Sequence, residues 1–363
     1  MGGAPLMRFV RRCKPMRALL NWPRFGVLGL SLLLFSCSRS PGPADKGPVY
    51  QGKPLREWAV MTQDEDIGGG PSARARQAAE AVRAIGAAKA IPFLVRWIQP
   101  PWEESTIPGG AEQCFQLFGP EAKAAIPQLA ETLNRPAKTL NDISGQTYAA
   151  KSLSYLGSDA VPVLLNAATN FQGQHLQWEL INDMANFGTN GATAKPALLK
   201  WSQDPDGWVR LGALHAYVAI EDNKPATVMF LLRALNDTND LVRRDAAEEL
   251  GIVAQGQKDV LPALLNALRD SDWQVRSGAV GGLGKLGTEK AVVLPLLVEK
   301  LHDENRIIRR VAAFALGDVG GKEAFDALMS STEDPDGFVR EAVFQSLKQI
   351  DAEALARSGK RFH

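Results

Sequence analysis

Apolar residues recur along most of this chain at the spacing of one helical face. In VRSGAVGGLGKLG, residues 275 to 287, and IRRVAAFALGDVG, residues 308 to 320, they stand at positions i, i+4, i+5 and i+8. That spacing is typical of a helix with one buried side. Period-two alternation of Val, Ile, Thr and Tyr is nowhere sustained, so no strands are predicted. The pattern therefore predicts an all-α protein.

A second set of apolar stripes begins near a proline, as in KPALLKWSQD (195 to 204), VLPALLNALRD (260 to 270) and LPLLVEKLHD (294 to 303). Proline suits the first helical turn, where its missing N–H would have no partner in any case. Each of these stripes is followed after a few residues by a stripe of the first kind. The predicted unit is a helix, a tight turn and a second helix.

The turn between the two helices returns at a fixed spacing. An apolar residue followed by Arg recurs at intervals of 33, 33, 33 and 31 residues, with Asp six positions before each Arg and Asp or Asn four positions before it. The arginines are Arg210, Arg243, Arg276, Arg309 and Arg340; the earlier acids are Asp204, Asp237, Asp270, Asp303 and Asp334; the later residues are Asp206, Asn239, Asp272, Asn305 and Asp336. A period of this length predicts a stack of helical hairpins.

The residue types at the turn favour a structural role. The later Asp or Asn is expected to cap the second helix by accepting from an exposed backbone N–H, and the earlier Asp to close the first helix, accepting from the turn or from an Arg. A calcium loop would need an oxygen ligand at its fifth position, where Trp208 and Phe338 stand. The G-x-G-x-x-G at 282 to 287 lies inside a predicted helix, so it lacks the strand that a dinucleotide site requires.

These features together resemble the HEAT repeat family, including its bacterial short form described as phycobilin-lyase-like. Weaker copies reach back through Pro162, Pro127 and Pro92, which are 35 residues apart. The resemblance implies a right-handed α-solenoid of about eight or nine hairpins over residues 53–357. It also implies that the Asp and Arg side chains of adjoining repeats bond in a ladder through the stack, formed by Asp204, Arg210, Asp237, Arg243, Asp270, Arg276, Asp303, Arg309, Asp334 and Arg340.

The N-terminus has the organisation of an export signal. Residues 1–36 carry six basic side chains and no acidic one, and an apolar run from Phe25 to Phe35 precedes Cys37. Eleven residues are too few to span a bilayer, which favours a signal peptide. The end LFSC resembles the lipobox of bacterial lipoproteins, although Phe35 departs from the small residue usual there, and this resemblance implies lipidation of Cys37 followed by a Pro/Gly-rich tether at 37–52. A buried helix, an uncleaved anchor and an ordinary secreted protein remain alternatives.

Charge argues against a nucleic-acid partner. Without residues 1–36 the chain keeps 35 basic residues against 40 acidic ones, and sequence-independent binding to phosphates needs clustered Lys and Arg. A short basic tail ends the chain at 358–363.

Catalytic motifs are absent from the sequence. None of the four histidines is followed by Glu, and no G-x-S-x-G occurs, so we predict neither an enzyme nor a metal or other cofactor. Cys114 is interpreted as a small apolar core residue rather than a nucleophile.

Two regions are candidate contacts for a protein partner. Positions one and five after each Arg are predicted to face outward, as Leu211, His215, Arg244, Glu248, Ser277, Gly281, Arg310, Phe314, Glu341 and Gln345; a merely solvated face is the alternative. Residues 99–110, QPPWEESTIPGG, are predicted to form a 12-residue loop with Trp102 as a contact. Four glycines in one helix, Gly278, Gly281, Gly282 and Gly284, indicate a close approach, by the adjoining helix at Gly284 and by either the adjoining helix or a ligand at the other three.

The sequence thus favours a non-enzymatic HEAT-repeat scaffold that binds a protein partner, anchored by lipid in the bacterial cell envelope on the periplasmic side of the outer membrane. A lyase-like HEAT enzyme or enzyme-maturation factor is the first alternative, and a cytosolic regulatory adaptor is the second. A secreted or cytoplasmic location accompanies these alternatives.

Overall fold

The computed structural model describes residues 46–66, 70–102 and 106–360. The predicted signal peptide, Cys37 and most of the predicted tether lie outside these ranges, as do the last three residues of the basic tail. Within them the chain forms eighteen α-helices and one short β-hairpin, in which β1 (Val49–Tyr50) pairs antiparallel with β2 (Lys53–Pro54).

The eighteen helices form nine consecutive hairpins, each made of a first helix (A) and a second helix (B). They are α1 (Leu55–Met61) with α2 (Ala73–Ile85), α3 (Ala87–Ile98) with α4 (Thr106–Phe118), α5 (Ile126–Asn134) with α6 (Leu140–Ser154), α7 (Val161–Asn170) with α8 (His175–Asp183), α9 (Lys195–Trp201) with α10 (Gly207–Ile220), α11 (Lys224–Ala234) with α12 (Asp240–Val253), α13 (Leu261–Ala267) with α14 (Trp273–Leu286), α15 (Lys290–Lys300) with α16 (Arg306–Val319), and α17 (Lys322–Ser330) with α18 (Gly337–Arg357).

From α4 onward the B helices pack on one another in sequence order, and each A helix packs beside its own hairpin partner. One continuous apolar core runs through these contacts from Leu55 to Leu355. Each hairpin buries its apolar stripes against the next, as expected for a helical repeat. The prediction of an all-α solenoid with eight or nine hairpins is confirmed.

The predicted caps of the later B helices are present. The side chains of Asp206, Asn239, Asp272, Asn305 and Asp336 each accept from the backbone N–H two residues further on, at 2.7 to 2.9 Å. The earlier helix α6 uses another solution, a capping box in which Thr139 accepts from Asp142 N and Asp142 accepts from Thr139 N. Different residues along the chain thus accept from the backbone N–H groups that lack an intrahelical partner at the start of each helix.

Helices α12, α14 and α16 approach closely because glycines line the contacts. A Cβ atom on Gly278 or Gly282 would press against the carbonyl oxygens of α12, and one on Gly284 would lie 2.6 Å from Ala315 Cα in α16. A Cβ on Gly281 would have ordinary contacts only, with Val311 Cγ1 at 3.7 Å. The adjoining helices thus account for three of the four glycines that the sequence singled out.

The predicted loop at 99–110 is wrong in its second half, because α4 already begins at Thr106. Gly110 serves helix packing rather than a loop, because a Cβ there would lie 2.6 Å from the carbonyl oxygen of Ala59 in α1. Trp102 packs edge-on against Tyr148, with ring centroids 5.9 Å apart. Its indole nitrogen is buried without a hydrogen-bond partner in the described structure.

Cys114 is fully buried in α4, and that burial raises the pKa of its thiol. A buried thiol in apolar surroundings packs as a small hydrophobic side chain.

Among the described helices, none is both long and apolar enough to cross a membrane.

Candidate protein-binding surface

Three arginines tie successive hairpins together. Arg210, Arg243 and Arg309 each donate two hydrogen bonds to the Asp of the next hairpin, at 2.7 to 3.0 Å. The acceptors are Asp237, Asp270 and Asp334. The same arginines donate through Nη1 to the backbone carbonyl of the Asp in their own turn, at 2.7 to 3.0 Å. Each guanidinium therefore fixes two turns at once.

The acids of this ladder also shape their own turns. Asp204, Asp237, Asp270, Asp303 and Asp334 each accept from the backbone N–H two residues further on, at 2.7 to 2.9 Å. The hydrogen bonds from Arg243 lower the pKa of the Asp270 carboxyl. These oxygens are occupied by bonds within the protein, which is the arrangement of a structural joint.

The ladder is incomplete at one position. Within the described part of the chain, Arg276 donates only to the carbonyls of its own turn, those of Asp270 and Ser271, and makes no bond to Asp303. Asp204 and Arg340 stand at the two ends of the series; Arg340 likewise bonds its own turn. The ladder inferred from the family resemblance thus has three rungs among its four junctions.

His215 on α10 is held between two neighbouring B helices. Its Nδ1 lies 2.9 Å from Asn182 Oδ1 on α8, and its Nε2 lies 2.8 Å from Asp245 Oδ2 on α12. Arg244 donates through Nε to the other oxygen of Asp245. These contacts make a chain of polar groups across three hairpins.

Burial and hydrogen bonds shift the pKa values of the acids near His215 in opposite directions. Burial raises the pKa of the Asp245 carboxyl, but bonds from His215 and Arg244 outweigh it and hold that pKa below its usual value. Burial raises the pKa of Glu249, on the next turn of α12, to about 7. The charge of this surface therefore becomes more negative as the pH rises through neutrality.

Further along the stack the surface is cationic and aromatic. Arg310 on α16 lies over the rings of Phe314 and Phe338, with its Cζ 5.7 and 5.9 Å from their centroids. Lys285 on α14 pairs with Asp318 on α16 at 2.8 Å. Cation–π contacts of this kind position the guanidinium while leaving its N–H groups open to other acceptors.

Six of the sequence-predicted contacts form a line on successive B helices, which we call the B-helix strip: His215, Arg244, Glu248, Gly281, Arg310 and Phe314. Glu248 is exposed, and the other five are half-buried. Two further positions predicted to face outward do not, since Leu211 is 5% exposed and Ser277 is 9% exposed. Close packing between B helices covers them. Glu341 and Gln345 are exposed.

Asp183, at the end of α8, is a buried acid that the sequence did not indicate. It is 8% exposed, and its Oδ2 has no hydrogen-bond partner in the described structure. Burial raises its pKa to about 7. Below about pH 4 the carboxyl is protonated in both the folded and the unfolded chain, so the cost of ionising it in the folded protein grows between about pH 4 and 7 and is constant above.

Sequence reasoning also missed Asn182, Asp245, Trp178 and Trp208 as members of surface networks. One signal was available: the stretches DPDGWVR and DPDGFVR keep an aromatic residue, Trp208 or Phe338, at a position that neither the cap nor the ladder requires. The partners of these side chains lie about one repeat away, so no local spacing identifies them.

In the described residues, no group of three or more His, Cys, Asp or Glu side chains is arranged to hold a metal ion.

Nine stacked hairpins joined by capped turns define an all-α helical-repeat protein. The family model for HEAT repeats matches residues 161–251, 228–299 and 294–357, which together extend over more than half of the chain. The chain belongs to the HEAT-repeat family. No curated protein matches it in sequence.

Several solved structures are similar to this chain. An engineered protein shares 17% identity, with a TM-score of 0.38, over 84% of this chain and 92% of its own. YibA of Escherichia coli shares 19% identity, with a TM-score of 0.47, over 76% of this chain and 97% of its own. Human deoxyhypusine hydroxylase, solved in complex with glycerol, shares 20% identity, with a TM-score of 0.33, over 75% of this chain and 99% of its own.

Proposed function

We propose that this protein is a non-enzymatic scaffold that binds a protein partner along the B-helix strip and is anchored by lipid in the bacterial cell envelope. The observation that carries the proposal is the strip itself, where partly exposed polar, charged and aromatic side chains lie on α10, α12 and α16 and Gly281 of α14 lies between them. A surface with that periodicity suits an extended partner, because contacts from several hairpins add up along it.

The chemistry of the strip supports this function. Around His215 and Arg244 the polar groups bond to one another, while Arg310 with Phe314 offers a guanidinium above an aromatic ring. Arginine and aromatic side chains dominate binding energy at protein interfaces. Gly281 lies between these two parts and leaves a gap where a partner chain can approach closely.

We expect Gly281→Trp to abolish partner binding while the protein stays folded. The position has space for a side chain directed away from the core, since a Cβ there would make only ordinary contacts at 3.7 and 3.9 Å. Site-specific photocrosslinking in intact cells, with the probe at the exposed position 345 of α18, identifies the captured species. Met229→Trp, at a 57% exposed position of helix α11, is the matched control and should leave capture unchanged.

Capture that persists in Gly281→Trp would contradict binding along the strip, provided that both variants melt as the parent does. An enzymatic function would show instead as a product that disappears when single strip residues are replaced.

The anchoring part of the proposal depends on Cys37, which follows the apolar run 25–35 and precedes the Pro/Gly-rich tether. We expect metabolic labelling with a fatty-acid analogue to mark the protein, and the label to vanish in Cys37→Ser. Cys114→Ser is the control, because its thiol is fully buried in α4. Unlabelled parent protein in the soluble fraction would favour the cytosolic adaptor.

A further inference from the structure

A cleft of about 460 Å³ opens between the turns of the third and fourth hairpins, away from the B-helix strip. Its walls come from the loop after α5 and the first turns of α6 on one side, and from the end of α7 and the start of α8 on the other. The lining includes Ile143, Gln146, Thr147, Phe171, His175 and Glu179. Apart from Gln146, which bonds backbone carbonyls at the end of α5, these side chains are not required by the caps or the ladder of the repeats.

Two polar side chains of the cleft, Gln146 and Thr147, have already used their donors. Gln146 donates both amide hydrogens to backbone carbonyls, those of Leu133 at 3.0 Å and Arg135 at 2.9 Å. Thr147 donates its hydroxyl hydrogen to Glu179 Oε2 at 3.1 Å. The acceptor that stays accessible is the Glu179 carboxylate, whose side chain is 27% exposed, because Gln146 is only 4% exposed. The cleft is therefore matched to a ligand rich in donors.

An aromatic border lies beside these acceptors. Trp178 donates its indole N–H to His175 Nδ1 at 3.1 Å, which fixes the two rings relative to each other, and His175 Nε2 lies 3.5 Å from Glu179 Oε1. Trp208, from the next hairpin, lies with its ring centroid 5.6 Å from that of Trp178 and is 47% exposed. On the opposite side, Ile143 is 46% exposed. Ile143 and His175 thus line the cleft itself, and Trp178 and Trp208 extend an aromatic surface outward from His175.

We propose that this cleft binds a lysine or arginine side chain within an extended segment of a partner polypeptide. The ammonium or guanidinium group supplies donors and no acceptor, and its charge complements Glu179. The aromatic border attracts a cation over its ring faces, and Ile143 with Phe171 covers the aliphatic stem. Arg135, a cation that also lines the cleft, lies with its Nη2 3.4 Å from Glu131 Oε1.

The test uses two dansyl-labelled peptides with the sequences APARAPA and APAEAPA, titrated with the full chain and followed by fluorescence anisotropy. We expect the arginine peptide to bind at least about tenfold more tightly than the glutamate peptide, and its affinity to fall as salt is raised. Glu179→Gln should weaken the arginine peptide about tenfold, because it removes the charge and keeps the shape. Trp208→Ala should weaken it by several-fold.

Two matched variants separate a local effect from a general one. Glu341→Gln removes a carboxylate from an exposed position of α18, and Trp273→Ala removes a 37% exposed indole from the start of α14; neither should change peptide affinity. Equal binding of the two peptides, no binding at millimolar concentration, or an unchanged affinity in Glu179→Gln overturns the proposal. The peptide titration does not depend on the result for Gly281→Trp. The proposal for the cleft and the proposal for the B-helix strip are therefore tested separately.

Discussion

Gly282→Ala is expected to lower the free energy of unfolding by about 2–3 kcal/mol, although it adds a single methyl group. In α14 that methyl would press against the carbonyl oxygen of Ala247 in α12 and come within 3.3 Å of Leu264 Cδ2. The obstacle is backbone, so the two helices must separate rather than rotate a side chain. Urea denaturation followed by circular dichroism measures the change, and hydrogen exchange of α12 and α14 amides locates it.

Gly281→Ala, one residue earlier in the same helix, is the control, and we expect it to change the free energy of unfolding in the opposite direction. Its Cβ would meet Val311 Cγ1 at 3.7 Å and Glu248 Cγ at 3.9 Å, which are ordinary contacts. Alanine restricts the unfolded chain more than glycine does, so we expect a gain of about 0.5–1 kcal/mol. Equal losses of unfolding free energy in the two variants would show that neither glycine position accepts a side chain, and would contradict this packing.

Asp270→Ala is expected to cost about 2–3 kcal/mol, whereas Asp303→Ala should cost about 1 kcal/mol. Both variants lose the hydrogen bond from a backbone N–H two residues on, at 2.9 Å in each case. Only Asp270 also accepts two bonds from an arginine of the preceding hairpin, Arg243. The difference in unfolding free energy between the two variants, measured by urea denaturation, therefore reports one rung of the ladder.

The same pair of variants predicts a dependence on pH. Because Arg243 lowers the pKa of Asp270 in the folded protein, the rung contributes its full stability above the unfolded pKa of about 3.9 and loses it as the pH falls further. The difference in unfolding free energy between Asp270→Ala and Asp303→Ala should therefore shrink toward zero as the pH falls below about 4. An equal cost for both variants at neutral pH would mean that the guanidinium adds nothing beyond the bond within the turn.

Local spacing was sufficient for most of the fold. The caps at Asp206, Asn239, Asp272, Asn305 and Asp336, and the bonds from each Arg to the carbonyls of its own turn, join residues no more than six positions apart. Helix geometry alone brings such residues together. The same holds for the apolar stripes, whose period predicts one buried face for each helix.

The candidate binding residues were harder to predict, because exposure depends on how closely neighbouring helices approach. The predicted outward positions at Leu211 and Ser277, one residue after their arginines, are buried, whereas Gly281, five residues after Arg276, is half-buried. The glycines at 109 and 110 were interpreted as loop residues, yet Gly110 allows α4 to lie against α1, about 50 residues earlier in the chain. A single sequence does not reveal which distant backbone a glycine accommodates.

By itself, then, the sequence determined the class of fold, the repeat unit and the chemistry of its turns, since each of these is set within a few residues by helix geometry and backbone hydrogen bonding. Only the tertiary structure decided that Arg276 bonds no acid on the next hairpin within the described chain, that Trp178 meets Trp208, and that a cleft opens beside Glu179. Those features depend on the offset between one hairpin and the next. That offset is the sum of many side-chain contacts along the stack, and no short stretch of residues specifies it.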